Sequence, residues 1–115
     1  MSTVELTKDS DALISALYKE YLQKRKDGIS KGKAKIFGGA KEIHETIVPK
    51  WGFGDVEETL WELSRAGLLD CSPGDNTVWL AMLNDSGIIY MEKRFKNGLS
   101  EVLDYVEQIK SILLW

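Results

Sequence analysis

Six cations lie close together in this sequence, Lys24, Arg25, Lys26, Lys31, Lys33 and Lys35, with Lys41 just beyond and Asp27 as the one acid among them. Residues 24–41 thus carry +6, whereas residues 42–85 carry −7 and the whole 115-residue chain only −3. Such segregation says more than the overall charge, because a local basic stretch attracts phosphate even on an acidic protein. The chemistry on offer is non-covalent. Either these side chains meet nucleic-acid phosphates, or they form a solvated turn whose first three cations complement a helix C-terminus.

Residue types suited to covalent or metal chemistry are sparse. Gly28-Ile-Ser-Lys-Gly-Lys-Ala34 glances at a phosphate loop, but three residues separate its glycines and Ala34 follows Lys33. A phosphate loop needs four residues there, and a Ser or Thr after the lysine to hold magnesium. His44 is the one histidine and so cannot form half of a zinc pair; a surface position is expected for it. Cys71, the one cysteine, excludes an internal disulfide and has no basic neighbour to activate a thiolate, so it reads as a packing residue. The acids Glu57, Glu58 and Glu62 lack calcium-loop spacing. No catalytic residue, metal site or cofactor is expected, and the chain is not read as an enzyme.

The elements that must position the basic stretch follow from length and periodicity. At 115 residues and 43% hydrophobic, the chain has room for one domain with its own core. No apolar run approaches the roughly 18 residues of a membrane span. The N-terminal stretch also lacks the basic-then-apolar order of a signal peptide. A soluble, cytoplasmic protein with no membrane partner is expected.

The first helix has Asp9, Ser10 or Asp11 to cap it, a broad stripe from Leu13 to Leu22, and Lys24-Arg-Lys26 before Gly28 as a left-handed stop. A basic connector follows, with Ile36 and Phe37 as a very short strand. A second helix begins near Gly38-Gly39, turns Ala40, Ile43 and Ile47 inward, and ends at Pro49. Asp55 and Glu58 have the spacing of a capping box for a third helix with Val56, Leu60, Leu63 and Ala66 inside and Gly67 as its stop.

Leu68–Ser72 and Thr77–Leu83 then read as a hairpin around a four-residue turn, Pro73-Gly-Asp-Asn76. Thr77–Leu83 is apolar on both faces, with Val78, Leu80 and Met82 on one and Trp79, Ala81 and Leu83 on the other. Something should therefore cover its second side, the terminal helix or another subunit. Asn84 or Asp85 caps a short fourth helix, and after Asn97-Gly98 a last helix runs to the end.

Three helices followed by a two-stranded hairpin is the winged helix-turn-helix order. Asp55-Val-Glu-Glu-Thr-Leu-Trp-Glu-Leu-Ser-Arg-Ala-Gly-Leu-Leu69 resembles a recognition helix running into the wing, with Leu63, Ala66, Gly67, Leu68 and Leu69 at the expected places. Leu83-Asn-Asp-Ser-Gly-Ile-Ile-Tyr-Met-Glu92 resembles the segment that follows the wing in many small bacterial members. Taken whole, the chain is similar to the YjcQ family, small winged-helix proteins of Gram-positive bacteria and their phages. The resemblance implies an α+β, mostly α fold, a three-helix core with a hairpin wing and an added C-terminal helix, together with a mobile-element origin. It brings no established biochemical activity.

Two functional expectations follow. As a regulator the protein would bind double-stranded DNA through Lys24, Arg25, Lys26, Lys31, Lys33 and Lys35, with Thr59 and Arg65 on the outer face of the third helix. That face also carries Asp55, Glu58 and Glu62, which repel a polyanion, and the wing tip offers no Arg or Lys. The alternative is a protein-interaction module, an adaptor or inhibitor, presenting Asp55, Glu58 and Glu62 to a basic partner. Finally, Leu99, Val102, Val106, Ile109 and Leu113 fall at coiled-coil spacing, so a homodimer through residues 99–115 is expected, the alternative being packing of that helix against the first helix of its own chain.

Overall fold

A computed structural model describes residues 4–113, with side chains as far as residue 110. The fold is α+β and mostly helical. Its elements are α1 (Lys8–Lys26), α2 (Lys31–Ala34), β1 (Ile36–Gly38), α3 (Ala40–Thr46), α4 (Phe53–Arg65), β2 (Leu69–Gly74), β3 (Thr77–Leu83), α5 (Asp85–Arg94) and α6 (Leu99–Leu113). The strands form one antiparallel sheet in the order β1-β3-β2.

Helix α1 is the spine. Every residue from Ala12 to Tyr18 is buried, Ser15 included, so this stretch is enclosed on all sides rather than along one stripe. The helix starts earlier than the acidic cap expected at Asp9, Ser10 or Asp11. Thr7 is the N-cap and accepts the Ser10 N–H at 3.1 Å, leaving Asp9 and Asp11 in the first turn, where carboxylates complement the helix dipole. At the other end Gly28 (φ +88°) closes a Schellman motif. Its N–H donates to the Arg25 carbonyl and that of Ile29 to the Lys24 carbonyl, both at 3.0 Å.

The basic connector is itself folded: α2 is a single turn that buries Ala34, and β1 follows it. Helix α3 begins at Gly39, where the backbone runs so close to β3 that a β-carbon would sit 2.6 Å from the Trp79 carbonyl oxygen. Only glycine permits that approach. Ala40 and Ile43 are buried, while Ile47 is half-buried at the C-cap. Helix α4 starts at Phe53 with Gly52 as its N-cap, three residues before the expected cap Asp55, which therefore lies in its first turn. Val56, Leu60 and Leu63 face inward, and Gly67 (φ +82°) ends the helix with the Leu68 N–H donating to the Leu63 carbonyl.

The hairpin is tighter than expected. Gly74 pairs with Thr77, so the connection is only Asp75-Asn76, both at positive φ (49° and 62°) as a primed hairpin turn requires. Pro73 lies in edge strand β2, where its missing N–H is tolerated. The register also corrects the expected alternation along β3. Ser72 pairs with Leu80 but Pro73 with Val78, so Trp79 is bulged out of the ladder. The bulge shifts the phase: Val78, Ala81 and Leu83 are buried, Leu80 and Met82 are half-buried, and Trp79 is exposed.

Helix α5 is capped by Asn84, whose side chain accepts the Gly87 N–H at 2.8 Å. Gly87 packs directly on the Leu68 carbonyl, 2.1 Å from where a β-carbon would sit. Helix α6 lies along α1. Arg94 at the end of α5 pairs with Asp11 of α1, stacks on Phe95 and Tyr105, and the Tyr105 hydroxyl donates to the same Asp11 carboxylate.

The expected dimer stripe is thereby largely enclosed within the chain. Val102 and Val106 are buried, Leu99 and Ile109 are half-buried, and the Leu113 side chain lies outside the described residues. Helix α6 packs on α1, and among the described residues its main contacts are with that helix rather than with β3.

Two substitutions test this packing by chemical denaturation. The Ser15 hydroxyl is buried with no hydrogen-bond partner, so Ser15→Ala should stabilise the protein by about 1 kcal/mol. Gly87→Ala should destabilise it by about 1–3 kcal/mol, since α5 must move off Leu68.

Candidate nucleic-acid interface

The end of α1 and the whole of α2 form one basic corner. Lys24 is half-buried: its ammonium donates to the Ile36 carbonyl at 3.0 Å and sits 5.0 Å from the centre of the Phe37 ring. Arg25 donates from Nη1 to the Ile29 carbonyl at 3.1 Å. Both bonds go to neutral acceptors, so they orient the cations without cancelling their charge. Lys26, Lys31 and Lys33 are exposed, and Lys35 is half-buried in a shallow depression shared with Asp70, Asn84 and Asp85. Among the described residues none of these six cations forms an ion pair.

Among the described residues Glu58 is the one acid of α4 with an ion pair; Asp55, Glu57 and Glu62 have none. Glu62 turns toward α1, where one carboxylate oxygen accepts from the Thr7 hydroxyl at 3.0 Å and from the Ser10 hydroxyl at 2.8 Å. It lies beside the N-terminus of α1, where negative charge is favoured, and it is not the outward-facing residue expected. Thr59 also departs from expectation: it is 3% exposed and its hydroxyl donates to the Asp55 carbonyl at 2.6 Å, so it cannot reach a base edge. Arg65 and Glu58 are exposed and pair with each other at 3.1 Å. Asp55 is exposed in the first turn.

The basic corner and the hairpin tip are separate surfaces. Ile36 pairs with Met82, and the Leu83 N–H donates to the Lys35 carbonyl at 2.9 Å, which puts the corner at the Leu83 end of β3. Asp75-Asn76 lies at the opposite end, about 20 Å away at ~3.3 Å per residue. The separation of these cations from the hairpin tip is set by the pairing of β1 with β3, which sequence spacing does not reveal.

His44 and Cys71 have structural placements. His44 is half-buried rather than on the surface. Its Nε2 lies 2.8 Å from the Trp51 carbonyl oxygen and its ring meets Phe53 edge-on at 5.9 Å, so it fixes the turn between α3 and α4. Cys71 donates weakly to the Leu60 carbonyl at 3.6 Å. Burial, assisted by the neighbouring Asp70 charge, pushes its thiol up to about 11 against a hydrogen bond with Ser64 that lowers it. No cluster of three or more His, Cys, Asp or Glu side chains among the described residues is placed to hold a metal ion. No described helix is long and apolar enough to cross a membrane.

Sequence reading did not locate an apolar groove of about 550 Å³ lined by Phe53, Val78, Trp79, Gly38 and Gly39. The signal was the two-sided apolar strand β3. Comparison with family models, with curated proteins and with solved structures finds no match to the chain.

The Cys71 environment predicts a pH dependence. The unfolded thiol ionises near 9.0 and the folded one near 11, so the unfolded state loses its proton first and stability should fall as pH rises between them. Denaturant melts from pH 8 to 11 should show that decline, and Cys71→Ala should remove its onset near pH 9. Buried Tyr18, raised to about 12 by burial and then by Glu92 and Tyr21, would still contribute above its ordinary value of 10.0.

Proposed function

We propose that this chain is a small, non-enzymatic protein of winged-helix type, acting as a regulator in a bacterium or phage, that binds duplex DNA through the corner formed by α1 and α2. The order α3, turn, α4, hairpin supports the winged-helix reading, and β1 completes the sheet beside the wing. The observation that carries the DNA reading is the gathering of six cations on one corner, none with an ion pair among the described residues. Glu58 of α4 pairs with Arg65 and Glu62 meets only neutral hydroxyls, while among the described residues the six cations from Lys24 to Lys35 have no charged partner. Uncompensated cations on one corner are suited to a polyanion, whose condensed counterions they displace.

In helix-turn-helix proteins the second helix enters the major groove. Here α4 presents Asp55 and a neutral Glu58–Arg65 pair, and the hairpin tip presents Asp75 and Asn76. We therefore assign the contacts to phosphates rather than base edges, which makes binding weakly sequence-specific. Lys26, Lys31 and Lys33 supply the reach, while Lys24 and Arg25 add charge held in place by their backbone bonds. The protein-interaction reading retains Asp55, and it loses Glu62, whose carboxylate is held by Thr7 and Ser10.

Fluorescence anisotropy with mixed-sequence duplex DNA tests the assignment. With three phosphate contacts, affinity should fall about 40-fold between roughly 50 and 200 mM salt. The triple variant Lys26→Glu, Lys31→Glu, Lys33→Glu should abolish binding, and Asp55→Asn should leave it unchanged or strengthen it. Absence of binding at the lower salt, or undiminished binding by the triple variant, would overturn the proposal.

A further inference from the structure

The basic corner meets the sheet at Lys35. Given DNA binding at that corner, on which this rests, we infer that Asp70 and Asp85 withhold Lys35 from the phosphates and so fix where the DNA footprint ends. Backbone pairing sets the arrangement. The Leu83 N–H donates to the Lys35 carbonyl at 2.9 Å, and on the other side of β3 Asp70 pairs with Met82. Lys35 and Asp70 therefore flank the end of β3 from opposite sides, and Asp85 opens α5 just beyond it.

The three side chains line one depression of about 350 Å³ together with Asn84 and Ser86. The Asn84 amide donates to Asp70 Oδ1 at 3.1 Å and to the Gly67 carbonyl at 3.0 Å, which holds the Asp70 carboxylate in place. The depression thus sets one cation against two carboxylates. Neither acid forms an ion pair with Lys35, yet both lie well inside the screening length of about 10 Å at 0.1 M salt. A phosphate brought to Lys35 meets a net negative surround.

The other cations differ. Lys31 shares a second depression with Asp85 and Glu92, but it is exposed where Lys35 is half-buried, and it keeps its phosphate contact. Lys26 and Lys33 are exposed and line neither depression. The footprint therefore runs over Lys26, Lys31 and Lys33 and stops at α5.

Counting phosphate contacts by salt dependence tests this, with fluorescence anisotropy on mixed-sequence duplex DNA. The double variant Asp70→Asn, Asp85→Asn should bind severalfold tighter at roughly 50 mM salt. Its affinity should fall about 150-fold between roughly 50 and 200 mM, against about 40-fold for the parent, as a fourth contact requires. Adding Lys35→Ala should restore the parent's salt dependence, and Lys35→Ala should cost the double variant at least three times the affinity that it costs the parent. Asp75→Asn at the hairpin tip, beyond the screening length, should leave affinity as it is. Circular dichroism melts confirm that each variant is folded.

An unaltered salt dependence in the folded double variant, or an equal cost of Lys35→Ala in both backgrounds, would overturn the inference while the corner still binds DNA. Binding by the double variant alone, lost again with Lys35→Ala, would uphold it and overturn the DNA reading of the parent. No binding by either overturns both.

Discussion

The enclosure of α1 governs the rest of the molecule. A helix buried from Ala12 to Tyr18 without interruption needs neighbours on every side, and α2, α4, α5 and α6 all pack against it. Each fully buried Leu or Ile there contributes roughly 1.5–3 kcal/mol only while those neighbours stay in place. The same demand explains the end of the chain. Helix α6 is amphipathic with coiled-coil spacing and buries Val102 and Val106 as it packs along α1, and the Asp11–Arg94–Tyr105 cluster fastens α5 and α6 to the first turn of α1.

Charge is distributed by the same packing. The contact of α4 with α1 brings Glu62 to the α1 N-terminus, where two hydroxyls and the helix dipole stabilise it. At the far end of α1 the dipole is negative and favours the cations Lys24, Arg25 and Lys26. A C-terminal dipole carries only about half a unit charge, however, and the corner holds six cations against Asp27. Most of that charge remains available to a ligand, which is why the corner rather than α4 is the proposed interface.

The β3 bulge has a comparable effect on the opposite part of the surface. A regular strand would have buried Trp79 with Ala81 and Leu83. One unpaired residue instead puts Val78 in phase with Ala81 and Leu83 and sends the indole outward across Gly74. The groove beside it follows from the same irregularity, together with the close passage of Gly39 under the Val78 and Trp79 carbonyls.

What the sequence determined by itself is local. Gly28 and Gly67 as left-handed helix stops, Asn84 as a cap, the hairpin and the inward residues of α4 depend on neighbours a few positions away, and all were legible. Helix starts were less so: α1 and α4 begin after Thr7 and Gly52, ahead of the acidic caps that the sequence offered. For the candidate site, the cations were legible as a charge run, but their separation from the hairpin tip was not. Tertiary structure alone decided that Thr59 is buried, that Glu62 faces α1 across more than fifty residues of sequence, and that Val102 and Val106 meet their own chain. Each depends on which elements share a surface, and periodicity states only that a face is apolar, not what will cover it.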